Sequence, residues 1–186
     1  MRPNWFFAFP IDGGFVRDLP APPSALRAFH PDDVHLTLCF LGGCGEERAL
    51  AALAALDAAL AAEPLAPIEV TLGEVVPMGS PRRYTALSAL LERGRPEAAA
   101  AVARLRDSLA DAAAVARDTR EPKPHITLAR PRGRATGADR AAGVAWAKGL
   151  DLSGVSARLD RIALYTWGER RLSQLFRIVA ERRLHA

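Results

Sequence analysis

The chain has 186 residues, of which 49% are hydrophobic and 25% are charged, which suits one compact domain with a sizeable core. This composition argues against a disordered or fibrous protein, and no apolar run approaches the length needed to span a bilayer. The net charge is +4, and 23 of the 25 basic residues are arginine, whose planar fork suits bidentate phosphate contacts. A genome rich in arginine and alanine codons would give the same bias, so both interpretations stay open.

The cysteines and the N-terminal segment indicate the compartment. Cys39 and Cys44 are the only cysteines, and their spacing forms neither a disulfide framework nor a zinc site. Cys39 lies in an apolar run, so we expect a buried thiol. A secretory signal has a long apolar stretch followed by small residues, and residues 1–10 have neither feature. We therefore expect a cytoplasmic protein that does not associate with membranes. We also expect it to be a monomer.

The first third of the chain predicts strands and one long helix. The aromatic segment 4–9 predicts a strand that ends at Pro10, and segment 21–29 predicts a short helix. Segment 34–41 reads VHLTLCFL and predicts a strand closed by two glycines. Leucines at helical spacing predict an amphipathic helix over 46–62.

The remainder predicts further strands and two more helices. The predicted elements are strands over 68–76 and 83–91, a helix over 96–116, a strand over 124–129, a basic loop over 131–137, a helix over 138–148, and strands over 158–166 and 175–180 joined by a turn at 168–171. No glycine-rich linker separates independent units. The order therefore predicts mixed α and β structure in one domain spanning residues 1–186.

Two matching tetrapeptides carry the functional argument. Residues 35–38 read HLTL and residues 125–128 read HITL, and each lies on a predicted strand. The chain has only four histidines, so an accidental match of two contexts is rare. Either motif alone would usually be a polar strand face turned to solvent. The other two histidines, His30 and His185, lack such a context, and we expect them at the surface.

Strand periodicity gives the pair of motifs its physical meaning. Because alternate side chains of a strand share a face, His35 and Thr37 point to one side, as do His125 and Thr127. The Cα atoms of each His–Thr pair are about 6.6 Å apart, so an imidazole and a hydroxyl can reach one cleft. The aliphatic residues between them anchor each strand in the core.

This set of side chains suits general acid–base work on a phosphate. Unperturbed imidazole titrates near neutral pH, so one ring can hold a proton while the other accepts one. Threonine hydroxyls can donate to non-bridging phosphate oxygens. A metal site is the alternative, with Asp33 as the one carboxylate that shares the face of His35, but two histidines are a poor ligand set for zinc. We therefore expect no metal and no cofactor.

The two motifs resemble a known family. The stretch DVHLTLCFLG at 33–42 is similar to its N-x-H-x-T-L-x-F-L-G pattern, and KPHITLAR at 123–130 is similar to its x-P-H-x-T-L-A-R pattern. The chain resembles the two-histidine (2H) phosphoesterase superfamily, and within it the RNA 2′,3′-cyclic phosphodiesterases, also called 2′-5′ RNA ligases. The resemblance covers nearly the whole chain. It implies an α+β fold of two pseudo-symmetric α/β lobes, whose antiparallel sheets surround a central cleft and carry one motif each.

The resemblance also implies residue roles. His35 would be the general acid that protonates the leaving 3′ oxygen, and His125 the general base that activates water. Thr37 and Thr127 would bind the phosphate oxygens, and the product would be a 2′-phosphomonoester.

Two basic residues near the second motif are further candidates. Arg130 points away from the histidine by strand parity, but it lies at the strand's end and can curl into the cleft to contact phosphate or substrate. Lys123 has the parity of the histidine and is a possible contact, or else a solvated charge at a strand start.

The expected partner is RNA, or an oligonucleotide, that ends in a 2′,3′-cyclic phosphate. An alternative on the same scaffold is hydrolysis of a small cyclic nucleotide or an ADP-ribose cyclic phosphate. Ligation through a 2′-5′ linkage would be the same chemistry reversed. A non-catalytic RNA-binding protein is the alternative of another class, and two matched histidines argue against it because binding does not need them.

Overall fold

The computed structural model describes residues 2–169 and 173–185, and its strands all pair antiparallel in one sheet. The strands are β1 Trp5–Pro10, β2 Leu26–Ala28, β3 His35–Gly42, β4 Ile68–Met78, β5 Ala86–Arg93, β6 His125–Pro131, β7 Ser156–Leu159, β8 Arg161–Trp167 and β9 Phe176–Arg183. The helices are α1 Glu46–Ala62, α2 Arg95–Ala112 and α3 Gly137–Lys148. The sheet order is β7-β4-β5-β6-β3-β1-β8-β9, and β2 pairs with β6.

The sheet has two halves that meet at its centre. One half is β3-β1-β8-β9 and the other is β6-β5-β4-β7 with β2. The halves join where β3 pairs with β6, at Leu36 and Ile126. Helices α1 and α2 pack on each other, α2 also packs on β3, and α3 packs on β4 and β5. This arrangement confirms the predicted α+β fold class. The first motif lies on β3 in one half of the sheet and the second lies on β6 in the other.

Most predicted elements are present, and local sequence signals explain their limits. Helix α1 follows Gly45, whose positive φ of 91° suits glycine, and two glutamates in its first turn favour the helix N-terminus. Helix α3 starts at a capping box, in which Thr136 and Asp139 each accept a hydrogen bond from the other's backbone N–H. Helix α2 ends four residues before its predicted limit, because Ala114 takes a left-handed φ of 50°.

Two predictions of secondary structure are wrong. Segment 21–29 is not a helix: its residues 26–28 form β2, because pairing with β6 satisfies their backbone groups instead. The strand predicted over 158–166 is two strands that diverge at Asp160. Strand β7 pairs with β4 and strand β8 pairs with β1, on opposite sides of the sheet's centre. The predicted turn at 168–171 includes residues 170 and 171, which lie outside the described residues.

The two faces of the central sheet are packed differently. The main core lies on the helix-covered face, where Leu36, Leu38, Ile126 and Leu128 are at most 3% exposed. On the other face, a smaller aromatic cluster surrounds the start of β3; its members are Phe6, Ala8, Ala163, Tyr165 and, at its edge, Phe176. Each motif strand therefore anchors its aliphatic residues in the core and leaves its histidine on the opposite face.

None of the described helices is long and apolar enough to cross a bilayer.

Candidate active site

The central strand pair brings the two motifs together. Strands β3 and β6 run antiparallel, with Leu36 directly opposite Ile126. Continuing this register places each histidine opposite the threonine of the other motif. Because directly opposite residues share a face of the sheet, the two histidines and two threonines lie on one face. The structure thus brings together the four residues that the sequence predicted.

Both imidazoles are held in the same way by the backbone. The Nδ1 of His35 is 2.6 Å from the carbonyl oxygen of Asp33, and the Nδ1 of His125 is 2.6 Å from that of Lys123. A carbonyl only accepts, so each Nδ1 carries the proton and donates it. The neutral rings therefore keep Nε2 free to accept a proton, and the protonated rings donate from Nε2.

His35 sits inside an aromatic collar, which we define as Phe6, Phe29, Tyr165 and Phe176. Its ring centre is 4.9 Å from that of Phe6, 5.5 Å from Tyr165, 5.6 Å from Phe176 and 6.3 Å from Phe29. Only 7% of the residue is exposed. The collar fixes the ring and removes water from around it.

The collar changes the proton affinity of His35. Burial, together with the positive charges of Arg130 and His125, lowers the pKa of His35 to about 4, although the hydrogen bond to the backbone carbonyl of Asp33 acts in the opposite direction. The two charges act on His35 because both side chains lie nearby. At neutral pH in the substrate-free protein, His35 is therefore neutral.

This lowered pKa predicts a loss of stability in mild acid. Below pH 6.5 the unfolded chain protonates this imidazole while the folded chain does not, so the free energy of unfolding falls as the pH falls toward 4. His35 should contribute a loss of about 1.5 kcal/mol between pH 6.5 and pH 5. Urea denaturation at the two pH values measures it. The fall in the free energy of unfolding between pH 6.5 and pH 5 should be smaller by that amount in His35→Asn, and it should be unchanged in the control His185→Asn. An equal fall in the wild type and both variants would contradict the lowered pKa of His35.

His125 has a more open environment. It is half-buried and lines a groove of about 460 Å³ together with Thr37, Phe40 and Lys123. Burial also lowers the pKa of His125, and the charges of Lys123 and Arg130 act in the same direction. The two histidines thus differ in solvent access, although their strands are equivalent.

Each motif strand contains a register shift directly after its threonine. In β3, Cys39 pairs with Phe7 and Thr37 pairs with Ala8, which leaves Leu38 without a partner of its own on β1. In β6, Thr127 pairs with Ser88 and Ala129 pairs with Leu87, which leaves Leu128 unmatched on β5. Such a bulge reverses the parity of the residues that follow and re-aims their side chains.

The bulges turn two further side chains toward the histidines. Phe40 and Arg130 each lie three residues after a motif threonine, and the extra residue places both on the face of that threonine. Phe40 is 60% exposed, which is unusual for a phenylalanine. The guanidinium of Arg130 lies 5.3 Å from the ring centre of Phe29, and its charge acts on both histidines. The prediction from strand alternation that Arg130 points away from His125 is therefore wrong, because the regular alternation of side chains ends at the bulge.

The two threonines are not equivalent. The hydroxyl of Thr127 lies 3.3 Å from that of Ser88, and both residues are buried. Thr37 is exposed at the groove beside His125. Sequence reasoning missed Ser88, although it is the one polar residue in the otherwise apolar stretch ALSALL of β5, and such a residue suggests a hydrogen-bonded role.

The remaining candidates have defined places. Lys123 lines the groove beside His125, and its backbone carbonyl orients that ring. Asp33, the carboxylate of the alternative metal site, is 1% exposed and accepts from the backbone N–H groups of Leu175 and Phe176. No cluster of three metal-ligating residues occurs among the described residues. His30 and His185 are exposed, as expected.

Comparisons with solved structures find proteins of similar fold. E. coli LigT in complex with 3′-AMP is 20% identical, with all of both chains covered and a TM-score of 0.69. The protein TT0787 of Thermus thermophilus is 20% identical over 97% of each chain, with a TM-score of 0.72. Usb1 of Kluyveromyces marxianus is 10% identical over 87% of this chain and 92% of its own, with a TM-score of 0.50. These likenesses show a shared fold.

A search of curated protein sequences finds no match. The sequence model of the 2′-5′ RNA ligase superfamily matches residues 17–171, which include both histidine motifs and most of the chain. The chain therefore belongs to the 2′-5′ RNA ligase superfamily of 2H phosphoesterases.

Proposed function

We propose that this protein hydrolyses 2′,3′-cyclic phosphate ends of RNA to 2′-phosphomonoesters, with His35 and His125 as its acid–base pair. Membership of the superfamily supports an enzyme of the phosphodiesterase type. The observation that carries the finer proposal is the pair of imidazoles on one sheet face, each with Nδ1 bonded to a carbonyl and Nε2 free. Two free imidazole nitrogens beside two hydroxyls suit a displacement at phosphorus that needs one proton removed and one supplied.

The proposed reaction is a single displacement. Nε2 of His125 takes a proton from water as the water oxygen bonds to phosphorus. The bond from phosphorus to the 3′ oxygen breaks, and Nε2–H of His35 protonates that oxygen. Thr37 and Thr127 donate hydrogen bonds to the non-bridging oxygens, and Ser88 holds the Thr127 hydroxyl in place. Every proton transfer has a residue, so this chemistry needs no cofactor.

The bound phosphate is part of this acid–base system. In the free protein the pKa values of both histidines are lowered, that of His35 to about 4. His35 can therefore act as the acid only after the anionic substrate has raised its pKa, as a nearby negative charge does. Arg130, whose charge opposes protonation of both rings, is neutralised by the same anion. The phosphate of the substrate thus supplies the negative charge that stabilises a protonated histidine in this site.

Nucleotide recognition is compatible with the groove at His125. E. coli LigT has been solved with 3′-AMP, ATP, NADP+ and phosphate. In this chain, the exposed ring of Phe40 lies in the same groove as Thr37 and His125. An exposed aromatic face beside a phosphate site is a suitable stacking surface for a base. We propose that Phe40 contacts the nucleoside of the cyclic end.

A direct assay tests the proposed function. The protein should convert a short oligonucleotide with a 2′,3′-cyclic phosphate end into the 2′-phosphate isomer, identified by phosphorus NMR or by chromatography against both standards. Turnover should persist in EDTA, because the described site offers proton transfer without a metal ligand set. A 3′-phosphate product, or activity that EDTA abolishes and a divalent ion restores, would contradict the mechanism. Turnover of ADP-ribose cyclic phosphate but not of RNA ends would favour the small-molecule alternative, and accumulation of 2′-5′-joined RNA would show the reverse reaction.

The threonine roles predict a smaller effect than loss of a histidine. Replacing Thr37 or Thr127 by valine keeps the shape and removes one hydrogen bond to a charged phosphate, which is worth about 1.5–3 kcal/mol. We expect kcat/KM to fall about 10- to 100-fold in each variant, measured on the same cyclic phosphate substrate. The Thr→Ser variants keep the hydroxyl and should stay close to the wild type. If the valine variant were as active as the serine variant at the same position, the hydroxyl of that threonine would not bind the phosphate.

A further inference from the structure

Three arginines line a second pocket at the other end of β6. This pocket, which we call the arginine pocket, has a volume of about 390 Å³. The side chains that matter here are Arg27, Arg130, Arg132, Phe29, Trp167 and Phe176. The groove that holds His125 lies at the start of β6 and the arginine pocket at its end, so one strand connects the two.

Strand pairing sets two of these arginines side by side. Arg27 of β2 is directly opposite Arg130 of β6, and neighbouring Leu26 is buried in the core with Pro131 as its partner. Arg27 therefore points to the face opposite the core, as Arg130 does. Arg132 follows, and the bond from its backbone N–H to Ala25 continues the pairing. Two guanidinium groups therefore extend from neighbouring positions on the face of the sheet that carries the histidines.

The arginine pocket adjoins the catalytic residues. Two of its aromatic walls, Phe29 and Phe176, are also members of the collar around His35. Arg130 lines the pocket, and its charge reaches both histidines. The arginine pocket and the surroundings of His35 therefore share two aromatic residues.

The charges distinguish this pocket from the groove at His125. The groove is lined by carboxylates as well as cations, including Asp118 and Glu121. Among the described residues, no carboxylate lines the arginine pocket. Asp33 is near enough to Arg27 to feel its charge, but its oxygens are occupied by backbone N–H groups. The pocket thus combines arginine forks with aromatic walls, which suits the phosphate and base of a single-stranded nucleic acid.

We propose that the arginine pocket binds the internal phosphate next to the cyclic end of an RNA chain, so that the site selects oligonucleotides over cyclic mononucleotides. This inference rests on the proposed function and adds its substrate class. Arg27 and Arg132 are specificity residues, since they meet a phosphate that the reaction does not change. Arg130 lies between the two sites.

Three substrates test the proposal with the unmodified protein. They are adenosine 2′,3′-cyclic phosphate, the dinucleotide ApA with a 2′,3′-cyclic phosphate end, and the same dinucleotide with a neutral methylphosphonate as its internal linkage. Wild-type kcat/KM should be about tenfold or more higher for the charged dinucleotide than for the other two, the size expected of a charge-assisted hydrogen bond. Equal values for the charged and the neutral dinucleotide would overturn the proposal.

Variants assign the effect to the pocket. Arg27→Gln and Arg132→Gln should lower kcat/KM for the charged dinucleotide about tenfold more than for the mononucleotide, and Arg27→Lys should retain part of the preference. Arg48→Gln, on the exposed surface of α1, is the matched control and should change neither value. Equal losses on both substrates would show a general effect on the site and contradict a phosphate subsite.

A binding measurement separates this proposal from the proposed function. If no cyclic phosphate is turned over, the proposed function fails, and the affinities of the dinucleotide 2′-phosphate and its neutral-linkage form decide the subsite. The charged form should bind about tenfold more tightly, with a salt dependence that is steeper by about 0.7 in the log–log slope, as one phosphate contact on a single strand implies. Equal affinities and slopes would overturn the subsite.

Discussion

Replacing either His35 or His125 by alanine should lower turnover of a 2′,3′-cyclic phosphate by about 10²- to 10⁴-fold, which is the usual contribution of general acid–base catalysis. The double variant should lose little more than the worse single variant, because both residues act in one displacement. Steady-state kinetics on a short oligonucleotide measures the three losses. In the wild type, kcat/KM should depend on pH in a bell shape with its maximum below pH 6.5, because both pKa values are lowered in the free protein.

The leaving group separates the two roles. A nitrophenyl phosphodiester has a leaving group that needs no proton, so it should largely rescue His35→Ala and leave His125→Ala impaired. A rescue confined to His125→Ala would reverse the assignment. That reversal has a physical basis, since the pKa of about 4 for His35 favours the neutral, proton-accepting form in the free protein. Full activity of both variants on every cyclic phosphate would end the functional proposal.

Asp33→Ala should lower the free energy of unfolding by about 2–4 kcal/mol. The carboxylate is 1% exposed, and its two oxygens accept from the backbone N–H groups of Leu175 and Phe176 at 2.8–3.0 Å. Removing it leaves two donors at the start of β9 without a partner, and an unsatisfied buried donor costs about 1–3 kcal/mol. Chemical denaturation at pH 7 measures the loss.

The same substitution should reach the active site through Phe176. This ring packs edge-on against His35, and its backbone N–H is one of the donors that Asp33 holds. Asp33→Ala should therefore loosen the collar and bring the pKa of His35 closer to 6.5, which NMR titration of the imidazole reports. The neighbour Asp32, whose side chain is 63% exposed, provides the matched control Asp32→Ala. If the free energy of unfolding of Asp33→Ala were within about 0.5 kcal/mol of the wild-type value, the three hydrogen bonds of Asp33 would contribute little to stability.

The local sequence pattern was enough to predict those helices and strands whose structure is determined by their own residues. Helix α1 has the predicted bounds, because leucine spacing and its flanking glycine are signals within the segment. The motif strands were predicted for the same reason, with aliphatic residues at alternate positions. Strand β2 was missed, because a three-residue segment forms a strand only when another strand pairs with it, and β6 lies about a hundred residues away in the sequence. The separation of β7 from β8 likewise depends on which strand each one meets.

The same distinction between local sequence and tertiary contacts applies to the candidate site. The sequence by itself determined which residues are the candidates for the proposed chemistry, since each histidine and the threonine two residues after it share a face of any regular strand. Only the tertiary structure decided what surrounds them. The collar at His35 comes from four separate segments, and the partner of Thr127 comes from β5. The bulges that turn Phe40 and Arg130 toward the histidines appear only in the pairing of each motif strand with its neighbour, because an extra residue exists only relative to a partner strand.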